Sequence, residues 1–99
     1  MLFRVGWTIT GANRNEVTRR FLTAGDDPNY DLPDGLTMKG RWHNPVDLRG
    51  TAIMETDDEK LLYQYLMNWN DVCDTEVDVV VEDEDCGALC AEMMRRIEA

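Results

Sequence analysis

The chain is short of positive charge and has a single histidine. Ten Lys and Arg stand against 20 Asp and Glu, giving a net charge of −10 over 99 residues. Nucleic-acid binding needs a basic surface that neutralises phosphates, and no basic cluster is present. The same deficit disfavours anionic membranes, and the excess negative charge favours solubility. No apolar run is long enough to span a bilayer, and the N-terminus lacks the succession of segments that marks a secretory leader. The expected location is cytoplasmic. Cys73, Cys86 and Cys90 are odd in number and lack C-x2-C spacing, so they are expected as free, buried thiols. No Ser-His-Asp order, phosphate-binding glycine loop or dinucleotide fingerprint occurs. One histidine cannot build a His-rich metal site. Haem ligation needs only one, but nothing else in the sequence supports it, and no cofactor or metal is implied.

What is present suffices for one small domain. Hydrophobic residues make up 43% of the chain, enough for a core. Leu2 to Ile9 reads as a strand. Asn13, with Glu16 three residues later, reads as the cap of a helix whose buried stripe is Val17 and Phe21. Asp26 to Gly35 has the turn chemistry of a long surface loop, in which Tyr30 is a candidate lid residue. Thr37 to His43 and Thr51 to Glu55 read as a hairpin. Thr56-Asp57-Asp58-Glu59 is a second capping box, opening a helix that carries Leu61, Leu62, Tyr65, Leu66 and Trp69 on one face and ends at Asn70 and Asp71. Thr75 to Val81 is a fourth strand. A last helix, opened by the acidic run Glu82–Asp85, carries Cys86, Leu89, Cys90, Met93, Met94 and Ile97 at helical spacing.

The order β-α-β-β-α-β, over residues 1–81, predicts an α+β, ferredoxin-like domain with a four-stranded antiparallel sheet, to which residues 82–99 add a terminal helix. Two helices cover one sheet face. The other face is expected to meet a second copy of the chain, giving a homodimer through the sheet.

The chemistry concentrates in Gly40-Arg41-Trp42-His43. Strand alternation places Arg41 and His43 on one face and Gly40 and Trp42 on the other. His43 admits two readings: a general base with a pKa near neutrality, or a structural imidazole bonded to a carboxylate such as Glu55. Arg4, Thr8, Glu55 and Asp78 occupy positions that can share the uncovered face with Arg41 and His43, given a suitable register. Trp7, Trp42 and Trp69 are core residues or stacking surfaces for an aromatic ligand, and Tyr65 is a core residue or a hydroxyl donor.

Met1-Leu2-Phe3-x-Val5-x-Trp7-Thr8, Asn13-Arg14, Arg20-Phe21, Gly40-Arg41-Trp42-His43, Glu55-Thr56-Asp57-Asp58 and Trp69-Asn70-Asp71 together resemble a small, mainly bacterial group, domain-of-unknown-function family 3303. The resemblance runs from Met1 to about Glu84 and treats the last helix as an addition. It implies membership of the dimeric α/β-barrel group, which includes cofactor-independent monooxygenases, haem-degrading enzymes, isomerases and proteins with no assigned activity. A fold and a cavity follow, but no reaction. The resulting expectation is a small-molecule-binding dimer. A small anionic or aromatic molecule sits on the sheet face, with Arg41 holding an anion and His43 moving a proton, and with Arg4, Trp7, Trp42, Glu55, Tyr65 and Trp69 lining the ligand. The alternative is a non-catalytic dimeric interaction or structural module.

Overall fold

In the computed structural model, which describes residues 1–25, 27 and 29–99, four strands and three α-helices follow one another, with a short 3-10 turn at Gly11–Asn13 before the first helix. They are β1 (Leu2–Ile9), α1 (Arg14–Ala24), β2 (Thr37–Asn44), β3 (Arg49–Glu55), α2 (Glu59–Leu66), β4 (Cys73–Val80) and α3 (Asp83–Glu98). The strands form one sheet in the order β2-β3-β1-β4, antiparallel throughout. This is the ferredoxin-like arrangement with an added C-terminal helix, and β1 lies at its centre.

Alternation along β1 builds the core. Phe3 and Val5 are buried, and they align with Met54 and Ala52 of β3 and with Val79 and Val77 of β4. Leu62 and Leu66 of α2, one helical turn apart, close over Phe3, Val5, Ala52 and Met54 together with Leu36. Burial of each large apolar side chain contributes about 1.5–3 kcal/mol. The start of α2 is polar and local. Asp58 Oδ1 accepts the Lys60 amide at 3.0 Å, making Asp58 the cap. The buried Thr56 hydroxyl instead accepts the Asp58 amide at 3.1 Å and donates to the Asp58 carbonyl at 3.2 Å. The expected Thr56–Glu59 box therefore resolves into a turn followed by an Asp cap. The helix also ends at Leu66, and turns carry the chain to β4.

α1 departs from expectation. It contains no buried residue: Val17 is half-buried and Phe21 is 36% exposed. The helix stands off the sheet and is held by polar ties at its two ends. Asn13 makes no capping bond and its amide donates to the Val72 carbonyl at 3.3 Å. Near the other end, Arg20 grips Asp71 with both terminal nitrogens, at 3.1 and 2.8 Å, and donates to the Asn68 carbonyl. That pairing raises the Arg20 pKa and lowers that of Asp71.

The last helix departs in another way. No residue of α3 is buried, and the chain extends 57 Å along its longest axis with a radius of gyration of 16.6 Å. A compact chain of this length has a radius near 13 Å, so α3 projects from the body. Cys86 and Cys90 are exposed, and only Cys73 is the buried thiol expected of all three. With no side chain of α3 buried, its apolar stripe is left bare by the described residues of its own chain. No helix among the described residues is long and apolar enough to cross a membrane.

Candidate functional site

A one-residue irregularity in β2 decides which side chains meet. The β2–β3 register runs Met38↔Met54, then skips Lys39 to Gly40↔Ile53, Arg41↔Ala52, Trp42↔Thr51 and His43↔Gly50. Strict alternation from the core residue Met38 would carry Gly40 and Trp42 inward and expel Arg41 and His43. The bulge inverts that order. Arg41 and His43 thus join Val5, Trp7, Ala52 and Met54 on the side that faces the helices.

There, beneath the raised α1, lies a cavity of about 550 Å³, within the size range of small-molecule sites. β1 contributes Trp7, β2 contributes Arg41 and His43, α1 contributes Val17 and Phe21, and Tyr65 and Trp69 complete the wall. His43 stands edge-on to both Trp7 and Phe21, with ring centroids 5.6 and 5.1 Å away. The Arg41 guanidinium lies 5.1 Å from the centre of the Phe21 ring, a cation–π contact. Trp7 is seated by Gly50. A Cβ on that residue would approach Trp7 Cε2 to 2.6 Å and the Trp42 carbonyl oxygen to 2.7 Å.

The electrostatics of the cavity oppose those of the whole chain. Arg14, Arg41, Arg49 and His43 line it, with no Asp or Glu among the described lining residues. Arg49 pairs with Asp47 at 2.7 Å, and Arg14 donates to Asn15. Arg41 forms no ion pair with a described carboxylate. Loss of hydration between two aromatic rings pushes the His43 pKa down, and the Arg41 charge pushes it further. The imidazole is therefore neutral at neutral pH and able to accept a proton. Burial raises the Tyr65 pKa, against opposing effects of Trp69 and Arg41, so its hydroxyl stays protonated and able to donate. Among the described residues, the site offers a cation without an ion-pair partner, a neutral base and a hydroxyl between aromatic walls.

The residues expected to form one site divide between two faces. Arg41, His43, Trp7, Tyr65 and Trp69 meet in the cavity. Arg4 lies opposite Ile53 and Asp78 on the uncovered face and bonds Asp78 at 2.8 Å. Glu55 approaches Lys39 at 3.9 Å, so the expected bond between Glu55 and His43 does not form. Trp42 lies over Gly40 and is 60% exposed. Thr8 faces the same way, opposite Arg49 and Asp74. The expected convergence of Arg4, Thr8, Glu55 and Asp78 with Arg41 and His43 is therefore replaced by a sheet that separates them, because the bulge sends the β2 pair to the helix side. Tyr30 does not line the cavity; two residues of its loop, Asp26 and Pro28, lie outside the described residues. Phe21, expected in the core, and Arg14, for which the sequence carried no site expectation, both line the cavity. Their signal was the shared helix face of Arg14, Val17, Thr18 and Phe21, too narrow and too polar to seal against a sheet.

No curated protein and no solved structure is detectably similar to the chain. A family model matches residues 1–94, so the match takes in most of α3, and the last helix is largely part of the family pattern rather than an addition to it. The chain belongs to the family described as Domain of unknown function (DUF3303).

Proposed function

We propose that the protein binds a small, planar, anionic molecule in the cavity between α1, α2 and the sheet, with Arg41 holding the anionic group and aromatic rings flanking its body. The observation that carries this reading is the inversion of charge: a chain of net charge −10 keeps described carboxylates out of this cavity and leaves Arg41 there without one. His43, held neutral beside Arg41, is suited to take a proton from a bound acid while the guanidinium stabilises the resulting enolate or phenolate. That chemistry requires no cofactor. The intrinsic tryptophans report binding. Benzoate and salicylate, with benzamide as the uncharged match for benzoate, are titrated into wild type and Arg41→Gln. A charge-assisted hydrogen bond contributes about 1.5–3 kcal/mol, so Arg41→Gln is expected to weaken carboxylate binding by about 10- to 150-fold and to leave benzamide unaffected. Equal affinities for benzoate and benzamide, or for the two proteins, would sink the proposal.

A second reading, a non-catalytic dimeric module, draws on the other side of the sheet. Trp42 is 60% exposed there, on the face that also carries Leu2, Ile53 and Val80. A homodimer through this face would cover them. Light scattering of wild type and Trp42→Asp separates the outcomes: a dimer lost in the variant supports it, and a strictly monomeric wild type removes it.

A further inference from the structure

We infer that α3 is an interaction surface for a second copy of this chain, to which it pairs as an antiparallel helix. Cys86, Cys90, Met93 and Ile97 recur on one face, flanked by Leu89 and Met94, and none is buried. Leu89 and Ile97 are 64% and 68% exposed, and Met93 and Met94 are 47% and 44% exposed. The helix has an amphipathic stripe that its own chain leaves bare.

The charge pattern chooses the occupant and its direction. Four consecutive carboxylates, Glu82 to Asp85, stand at the start of the helix, and its only bases, Arg95 and Arg96, stand near its end. Parallel pairing of two copies would set four carboxylates against four. Antiparallel pairing sets each acidic end against the other copy's arginines and also opposes the two helix dipoles. Within its own helix Glu92 contacts both arginines, at 2.6 and 3.7 Å, which leaves their remaining donors for the facing chain. Asp85 and Arg96 border the stripe on the same side, that of Leu89, so each Asp85 meets the other copy's Arg96. The two-fold axis then passes beside Cys90, midway between Asp85 and Arg96. A helix of this length spans about 24 Å, which places the pair at the small end of specific interfaces. Its association is therefore reversible and concentration-dependent.

This geometry puts the two Cys90 side chains within reach of each other, and separates the two Cys86 side chains by about 12 Å along the axis. A short bismaleimide applied to the full-length chain tests it. Cys86→Ser, which retains Cys90, is expected to give a covalent dimer, whereas Cys90→Ser is not. Cross-linking of both variants would mean parallel pairing, and cross-linking of neither would mean no α3 pair; each result overturns the inference. Sedimentation equilibrium is the second readout. Leu89→Glu and Ile97→Glu are expected to weaken self-association at least tenfold, while Ala88→Glu, on the far side of the helix, leaves it unchanged. A wild-type chain that is monomeric at all concentrations refutes the inference. So does a dimer indifferent to Leu89→Glu and Ile97→Glu, which assigns the contact to another surface such as the Trp42 face.

Discussion

Gly50→Ala tests whether the cavity wall is built as described. Gly50 lies opposite Trp7 in β1 and His43 in β2, and the Trp7 indole covers it. A new methyl group would sit 2.6 Å from Trp7 Cε2, where ordinary contact begins at 3.4 Å, and 2.7 Å from the Trp42 carbonyl oxygen. The indole can yield toward the cavity it lines, but the Trp42 carbonyl belongs to the β2 backbone and can give way only if the strand shifts. Overpacking of this kind costs about 1–3 kcal/mol, which for a chain of this size lowers the Tm by about 5–15 °C. Urea denaturation followed by tryptophan emission measures the loss, and near-ultraviolet circular dichroism reports the displaced indole. Gly11→Ala is the control, because nothing lies within 4 Å of its added Cβ. Trp7→Leu in the same background removes the indole contact while keeping the carbonyl contact, so it should recover part of the loss as a coupling energy. A Gly50→Ala protein with wild-type stability and an unchanged tryptophan spectrum would refute the stacking of Trp7 on Gly50.

His43 gives a pH signature. Its folded pKa lies below the ordinary value of 6.5, through burial first and the Arg41 charge second, so the unfolded chain binds the proton more readily than the folded one. The resulting stability is present above about pH 6.5 and is lost as pH falls through the lower folded value; urea midpoints from pH 5 to 8 should show this decline, reduced in His43→Gln. Arg20→Ala removes the grip on Asp71 and Asn68, and hydrogen exchange should quicken in α1 while α2 keeps its protection; equal exchange in α1 would contradict its suspension by polar ties. Cys73 is buried, with its thiol pKa raised by burial, whereas Cys86 and Cys90 are exposed. A chromogenic disulfide reagent should therefore titrate two thiols in the native protein and the third only after unfolding.

The elements and their order were legible because each carried a local signal. The alternation of β1 and the Leu62–Leu66 spacing of α2 both express direct contact with one core. Gly40-Arg41-Trp42-His43 was legible as chemistry but not as location. The face of a strand is set by counting from a fixed point, and the skipped residue at Lys39 resets the count; Gly40 beside it was the one local hint, since an isolated glycine inside a strand marks a bulge only some of the time. Arg41 and His43 were correctly paired with each other and detached from their true neighbours. The Val17–Phe21 spacing fixed the face of α1 toward the sheet, but not its distance from it. That distance depends on Arg20 reaching Asp71, 51 positions along the chain, and no local pattern encodes it. Cys86 and Cys90 read as buried because their spacing is amphipathic; a stripe states that a helix wants a partner, not that the partner lies on the same chain.

The raised position of α1 makes occupancy of the cavity a matter of folding as well as of recognition. A helix with no buried side chain, spanning a partly apolar space of about 550 Å³, lacks the contacts that would ordinarily anchor it. A molecule that fills this space supplies them and acts as a missing piece of core. Binding to the folded chain alone adds about 2.7 kcal/mol at a ligand concentration one hundred times Kd, and the gain should fall on α1 more than on the sheet. A small molecule that raises the melting temperature of this chain while slowing exchange in α1 would thereby announce itself without any activity assay.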